Sequence, residues 1–165
     1  MSNPGDPELY YISDSAFLAD VRLVAQMVEN DDWQPDFVIG IGRGGLIPAV
    51  YISHQLNLPM LSIDHSSRVP GFADELLGKL AANSATGTRL LFVDDINDSG
   101  GTIDYIRRLL AEHGCDDDNV RFGVVINNSR SKVRVDYGAQ TIDRSEDKRW
   151  FVFPWEAVGK SDTIV

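Results

Sequence analysis

The sequence contains a single cysteine, Cys115, among its 165 residues. One thiol cannot form an internal disulfide, nor can it build a metal site from cysteines. Basic side chains are also scarce: 15 Lys and Arg residues stand against 25 Asp and Glu residues, for a formal net charge of −10. General nucleic-acid binding and adhesion to an anionic membrane both need clustered positive charge, so this balance argues against both.

Long apolar runs are lacking too. None approaches the roughly 20 residues of a membrane-spanning helix, and the first eight residues, MSNPGDPE, are neither cationic nor apolar as a signal peptide would be. Internal repeats and low-complexity segments are absent from the sequence. Hydrophobic residues make up 43% and charged residues 24% of the chain, as in an average globular protein. We therefore expect one soluble, cytoplasmic domain over residues 1–165, without a membrane or nucleic-acid partner.

The order of the apolar segments predicts a parallel sheet with helices on both faces. Short continuous apolar runs are typical of strands buried on both sides, and they occur at 37–41, 59–64, 89–93 and 120–126. Apolar residues at helical spacing lie before and between these runs. They predict helices after Ser13, at about 46–56, at about 75–82 and from about 103 to Gly114. Strands that alternate with helices make the fold class α/β.

The most informative segment is 91–102, which reads LFVDDINDSGGT. A hydrophobic strand runs into acidic residues, and a turn of small residues then opens a helix, whose N-terminus favours an anion. Carboxylates beside an anion site would repel a free phosphate. The combination is explained if the carboxylates contact the hydroxyls of a sugar while the turn binds a phosphate attached to that sugar. Phosphoacceptor receiver domains also carry an acidic pair, but there the pair follows the first strand of the domain. Here the pair comes after more than half of the chain, which argues against a receiver domain. A purely structural turn with capping Asp and Ser is the general alternative.

Residues 93–102, VDDINDSGGT, resemble the phosphoribosyl-pyrophosphate signature of the type I phosphoribosyltransferases. The resemblance implies that Asp94 and Asp95 hold the ribose 2′- and 3′-hydroxyls. It also implies that Asp98 is catalytic and relays a proton at the purine imidazole nitrogens. The residues that it assigns to the 5′-phosphate are Asp98, Ser99, Gly100, Gly101 and Thr102.

A second segment, VIGIGRGG at 38–45, resembles the pyrophosphate loop of the same family. Arg43 offers a fork of donors suited to a diphosphate, and Gly44 and Gly45 expose backbone N–H groups. Gly42 stands where the family more often has Ser, which removes one hydroxyl contact. Such a short glycine pattern alone is more often a tight turn. Its position ahead of the acidic motif favours the pyrophosphate interpretation for Gly42 to Gly45.

A third segment, WFVFPWE at 150–156, resembles the C-terminal hood of the xanthine–guanine branch. The resemblance implies that Trp150 stacks on the purine and that backbone groups at Phe151 read the exocyclic group at C2. Phe153 and Trp155 are better explained as core aromatics. Glu156 either helps to hold magnesium or is solvated at the surface. The hood is expected at about 1–12 and 131–165, over a core at about 13–130, and residues 65–75 align with the loop that closes over the substrate.

One departure concerns the base. Members that act on 6-oxopurines usually place a lysine after the fifth core strand, where it donates to O6, and Asn127 stands at that position here. An amide donates to an oxo group but also accepts from an amino group, so the preferred base stays open at Asn127. Arg130 and Lys132 are alternative donors if the alignment shifts.

The resemblance implies a purine phosphoribosyltransferase of the salvage type. Its substrates would be phosphoribosyl pyrophosphate and guanine, xanthine or hypoxanthine. Its cofactor would be Mg²⁺, contacted by Asp94 and Asp95 directly or through substrate or water. The family also implies a homodimer or homotetramer. Two alternatives stay open: a non-catalytic sensor of phosphoribosyl pyrophosphate or a nucleotide, and an enzyme for a non-purine acceptor.

Overall fold

The computed structural model describes residues 7–65 and 72–158 of the chain. This part of the sequence forms seven strands and five helices, which alternate as far as α4, with a 3₁₀ turn at Asp117–Asn119 and the strands β5, β6 and β7 in succession after it. The strands are β1 (Leu9–Tyr11), β2 (Phe37–Ile41), β3 (Met60–Ile63), β4 (Leu90–Asn97), β5 (Val120–Asn128), β6 (Tyr137–Ile142) and β7 (Trp150–Val152). The helices are α1 (Asp14–Glu29), α2 (Gly42–Leu56), α3 (Phe72–Ala85), α4 (Gly101–Glu112) and α5 (Pro154–Ala157).

The main sheet is parallel, with the strand order β3-β2-β4-β5-β6. Side chains alternate between its two faces, as the strand period requires. Val38 and Leu91 belong to the core beneath α1 and α2, whereas Ile39 and Phe92 belong to the core beneath α3 and α4. All four side chains are fully buried. The prediction of an α/β fold with helices on both faces of a parallel sheet is confirmed.

Helices α1 and α4 follow their apolar spacing closely. Ser13 caps α1, because its hydroxyl accepts the Ala16 N–H at 3.2 Å. The buried stripe of α1 consists of Phe17, Val21, Val24, Ala25 and Val28. That of α4 consists of Ile103, Ile106 and Leu110. Helix α4 ends before Gly114, which adopts a left-handed φ of 78° that glycine accommodates without strain.

Several element boundaries differ from the predicted ones. Helix α2 begins at Gly42 rather than near residue 46, because Gly42 takes a φ of 56° and turns the chain from strand to helix in one step. Strands β4 and β5 run on to Asn97 and Asn128, past the apolar residues that identified them. Most of the predicted closing loop, 66–71, lies outside the described residues, whereas 72–75 form the start of α3.

The two terminal segments meet in a small second sheet, in which β1 pairs in parallel with β7. The Trp150 N–H donates to the Glu8 carbonyl at 2.7 Å, and the Ile12 N–H donates to the Val152 carbonyl at 2.9 Å. We call this two-stranded sheet the hood. Strand β6 belongs to the main sheet, which therefore extends beyond the expected core limit at residue 130. Over the described ranges, no helix has the length and apolar character that crossing a membrane would take.

Candidate active site

The two glycine-containing motifs meet because β2 and β4 are neighbours in the sheet, with Gly40 opposite Val93. A Cβ at Gly45 would overlap the Val93 carbonyl oxygen, and a Cβ at Gly44 would overlap the Asp95 carboxylate. Only glycine lets the start of α2 approach the acidic end of β4 so closely. The predicted pyrophosphate loop and the predicted ribose site therefore form one surface at the carboxyl edge of the sheet.

The first turn of α2 is open to an anion. The N-cap residue, Ile41, makes no side-chain capping hydrogen bond. The first N–H groups of a helix lack intrahelical acceptors and carry the positive end of its dipole. Arg43 projects from the same turn and is exposed. It forms no ion pair or hydrogen bond with any residue that the structure describes. These donors suit an anion with several oxygens.

The acidic pair sits at the end of β4, where both residues are partly buried. The Asp95 N–H donates to the Asp94 carboxylate at 2.9 Å, and the Ile96 N–H donates to the Asp95 carboxylate at 2.7 Å. Burial, followed by repulsion from Asp95, raises the pKa of Asp94 well above its usual value. Burial also raises the pKa of Asp95 to about 6, and the negative charge of Glu156 contributes to that rise. Such a pair is stabilised by hydroxyl donors or by a cation.

The turn after β4 presents the start of α4. Gly100 adopts a φ of 86°, and a Cβ there would lie 2.6 Å from the Ser131 hydroxyl. The Ser99 hydroxyl accepts the Gly101 N–H at 3.3 Å, and the Ser99 carbonyl accepts the Lys132 N–H at 3.3 Å. Thr102 follows in the first turn of the helix. Residues 131–133 therefore pack against this turn, and N–H groups in the first turn of α4 lack intrahelical acceptors.

A cavity of about 80 Å³ lies between this edge of the main sheet and the hood. Asp95, Ile96 and Asp98 line one side of the cavity. Trp150 and the other aromatic residues, Phe151 and Phe153, line the opposite side. Trp150 is 57% exposed, so its indole is available for stacking, whereas Phe153 is buried and stacks on Trp155 with ring centroids 4.9 Å apart. The arrangement offers a carboxylate and an aromatic surface to the same small ligand.

Asp98 is bound by an arginine that the sequence analysis did not identify. Nε of Arg144 lies 2.9 Å from Oδ1 of Asp98, and Nη2 lies 3.1 Å from Oδ2. Asn128, also unpredicted, donates to the Asp98 carbonyl at 2.9 Å and accepts the Arg144 N–H at 3.2 Å. No motif marks either residue. The only sequence signal was the position of Asn128 next to Asn127.

Asn127 is not among the residues that line this cavity. Its Oδ1 accepts from Nδ2 of Asn97 at 2.8 Å, across the β4–β5 pairing. The alternative donors have other partners: Arg130 pairs with Asp143 at 3.0 Å, and Lys132 pairs with Asp104 at 2.7 Å. Among the described residues, the cation that lines the cavity is Arg144.

Glu156 also lines the cavity, but one of its carboxylate oxygens accepts the Phe153 N–H at 2.9 Å and caps the short helix α5. Within the described ranges, no group of three or more His, Cys, Asp or Glu side chains is arranged to hold a metal ion. A metal at Asp94 and Asp95 would therefore take most of its ligands from a substrate or from water.

Comparison with known proteins identifies the family. A family model described as the phosphoribosyl transferase domain matches residues 12–158. The chain belongs to the phosphoribosyltransferase family. This match includes all three sequence motifs, the whole main sheet and β7, and it begins just after β1. The predictions of the family and of a transferase are confirmed.

Three relatives illustrate where in the phosphoribosyltransferase family the chain lies. It is 28% identical over 141 residues to the xanthine-guanine phosphoribosyltransferase of Cereibacter sphaeroides, covering 82% of this chain and 76% of that protein. It is 27% identical over 159 residues to the enzyme of the same name from a Ruegeria species, covering 89% and 85%. The solved purine phosphoribosyltransferase of Pyrococcus horikoshii superposes with a TM-score of 0.67 at 25% identity, covering 89% of this chain and 93% of that one.

Proposed function

We propose that this phosphoribosyltransferase transfers the 5-phosphoribosyl group from phosphoribosyl pyrophosphate to a purine base, giving a nucleoside monophosphate and pyrophosphate. The supporting observation is the cavity that Asp98 and the exposed Trp150 both line. A flat heterocycle that carries an exchangeable proton needs both an aromatic surface and a proton acceptor. The relatives from Cereibacter and Ruegeria are named as xanthine-guanine enzymes, which favours guanine, xanthine or hypoxanthine as the base.

Phosphoribosyl pyrophosphate fits along the carboxyl edge of the sheet in one orientation. The turn at 98–102 binds its 5′-phosphate at the start of α4, and Gly42 to Gly45 bind its pyrophosphate at the start of α2. Asp94 and Asp95 lie between these two anion sites and accept hydrogen bonds from the ribose hydroxyls. This orientation directs C1′ of the ribose toward the cavity beneath the hood.

Mg²⁺ fits this site as a substrate-associated ion. The acidic pair offers two carboxylates, and Mg²⁺ in phosphate sites is commonly held by one or two carboxylates together with substrate oxygens and water. When bound, it neutralises charge on the departing pyrophosphate. The raised pKa values of Asp94 and Asp95 fit such a role, because a cation relieves the repulsion that contributes to them.

The chain's own residues orient the reaction and move one proton. Trp150 stacks on the base and holds its N9 toward C1′, while the anion sites fix the sugar. As N9 attacks, the bond from C1′ to the pyrophosphate oxygen breaks, and the Asp98 carboxylate takes the proton from the purine imidazole ring. No covalent intermediate with the protein is needed. We further propose a cytoplasmic salvage enzyme that assembles as a homodimer or homotetramer, as the family resemblance implies.

The test is a set of incubations with phosphoribosyl pyrophosphate, Mg²⁺ and one base at a time: guanine, hypoxanthine, xanthine, adenine or uracil. Chromatography then measures nucleoside monophosphate and pyrophosphate. We expect product from at least one 6-oxopurine and none from uracil. Asp98→Asn serves as the matched control, since it keeps the side-chain size and removes the proton acceptor. Tight binding of phosphoribosyl pyrophosphate without product from any base would instead support a sensor.

A further inference from the structure

We propose that Arg144 is a positioning residue that locks the Asp98 carboxylate to the hood, so that the proton acceptor and the stacking surface keep a fixed relation. The catalytic consequence of this lock rests on the proposed function, whereas the lock itself is a property of the ligand-free protein. Arg144 lies in the connection between β6, the last strand of the main sheet, and β7 of the hood. It is therefore placed at the junction of the two sheets.

The guanidinium of Arg144 uses its donors on both sides of this junction. Nε and Nη2 donate to the two carboxylate oxygens of Asp98, in the side-on geometry that makes such pairs both strong and directional. Nη1 donates to the carbonyl oxygens of Asp147, at 3.3 Å, and Arg149, at 2.6 Å. Arg149 immediately precedes Trp150. One planar group therefore links the turn after β4 to the residue that directly precedes β7.

Packing holds the guanidinium in this position. The Arg144 side chain is 20% exposed, and its Cζ lies 5.1 Å from the centroid of the Phe151 ring. A partly buried guanidinium over an aromatic face has a cation–π attraction in addition to its hydrogen bonds. Asn128 provides a second link, because its amide joins the Asp98 carbonyl to the Arg144 N–H. The backbone and the side chain of Arg144 are therefore both tied to Asp98.

The connecting loop is ordered by its own carboxylates. Asp143 accepts from the Ser145 hydroxyl at 2.6 Å and from the Ser145 N–H at 2.7 Å. Asp147 accepts from the Arg149 guanidinium at 2.8 Å and 3.0 Å and from the Arg149 N–H at 3.1 Å. These bonds lower the pKa of each carboxyl to about 2. The loop therefore needs no substrate to present Arg144 toward Asp98.

Lysine cannot reproduce this arrangement. An ammonium is a compact charge on a flexible stem, so it cannot bridge both carboxylate oxygens and reach two carbonyls on the opposite side. Arg144→Lys therefore keeps the charge and removes the geometry. If only the positive charge of Arg144 mattered, Arg144→Lys would behave like wild type. If its hydrogen-bond geometry positions Asp98, the variant loses that effect.

The lock is tested first without catalysis, by hydrogen exchange of ligand-free full-length protein, followed by mass spectrometry of peptides covering 144–153. In Arg144→Lys we expect the β7 amides to exchange on the order of tenfold faster, since hydrogen bonds to charged groups are lost. Asp98→Asn weakens the same pair and accelerates the same amides, and the double variant adds little to either change. Arg108→Lys, a matched substitution in an exposed pair on α4, leaves β7 exchange unchanged.

Steady-state kinetics then test the catalytic consequence. We expect kcat/KM for the base to fall on the order of 10- to 100-fold in Arg144→Lys, because a misplaced catalytic group costs about that much. KM for phosphoribosyl pyrophosphate should stay near the wild-type value, since the anion sites at α2 and α4 are intact. Arg144→Lys should add no further loss in an Asp98→Asn background.

Each result has a separate meaning. Unchanged β7 exchange in Arg144→Lys would overturn the lock, whatever the kinetics show. Faster exchange with wild-type kcat/KM for the base would overturn the positioning role and keep only a structural one. If the wild-type protein transfers to no base at all, the proposed function fails, while the exchange experiment still decides whether Arg144 joins Asp98 to the hood.

Discussion

Gly44 packs directly against the carboxylate of Asp95, with no space between them for a single methyl group. The first turn of α2 approaches the end of β4 this closely because glycine has no Cβ. This contact couples the position of the pyrophosphate loop to that of the acidic pair, so a change at either residue moves the other.

Gly44→Ala is expected to displace the Asp95 carboxylate and weaken binding of phosphoribosyl pyrophosphate on the order of 10- to 100-fold. Isothermal titration measures this affinity. Gly78→Ala is the matched control, because a Cβ at Gly78, inside α3, finds ordinary contacts 3.6 Å away. It should leave binding unchanged and raise the free energy of unfolding by about 0.5–1 kcal/mol, since alanine is the better helix former. Equal affinities in the two variants would contradict the contact.

The pH dependence of stability should report the raised pKa of Asp95. The folded state binds this proton with a pKa of about 6, whereas an unfolded Asp binds it with its ordinary pKa of 3.8. Folding is therefore favoured by the proton at low pH, and that contribution is lost as pH rises through about 6. Asp95→Asn should raise Tm relative to wild type at pH 8, with a smaller difference at pH 5. Thermal scans of ligand-free protein at both pH values check this, and a difference independent of pH would contradict it.

Trp150→Ala should weaken base binding while leaving phosphoribosyl pyrophosphate binding intact. Stacking of a base on an aromatic side chain is worth about 1–3 kcal/mol, so KM for the base should rise roughly 5- to 100-fold. Trp150→Phe should retain most of the affinity. Because Trp150 is largely exposed, Tm should change little in either variant. Trp33→Phe alters a buried tryptophan in the α1–β2 connection and should lower Tm without changing KM.

Asp31→Asn tests a site that affects stability alone. Asp31 follows α1 and binds Arg121 and the Tyr137 hydroxyl, and its pKa is lowered chiefly by the Trp33 N–H. Since the folded pKa lies below the unfolded one, this contribution is present at neutral pH and is lost as pH falls below about 4. We expect the substitution to cost about 1 kcal/mol by urea unfolding at pH 7, given that both partners are partly exposed. The kcat should remain at the wild-type value.

The features that the sequence predicted are those with a local cause. The buried stripe of α1 is visible in the spacing of Phe17, Val21 and Val24, because helix periodicity is a short-range property. The acidic pair and the two glycine turns each lie at one strand-to-helix junction, so a few neighbouring residues specify them. Their meeting in space followed from the rule that ligands bind beyond the carboxyl ends of parallel strands.

The features that the sequence did not predict depend on contacts between distant segments. Arg144 and Asp98 are 46 positions apart, and nothing near Arg144 distinguishes it from the other arginines. Asn128 lies beyond the apolar run at 120–126 that predicted the strand, yet it is buried and joins three backbone groups. The early start of α2 depends on the φ of Gly42, a conformation that composition alone does not specify.

The pairing of β1 with β7 has a consequence for the order of assembly. Leu9 lies beside Trp150, so the wall of the cavity that carries the stacking residue is built from two segments that are far apart in the sequence. During synthesis the five strands of the main sheet are made before β7, so β1 has no partner in its sheet until residues 150–152 have been made. Closing so long a loop is slow compared with forming local contacts. The strands that lead into the anion sites, β2 and β4, are therefore made before β7, and the base site is complete only when β7 pairs with β1.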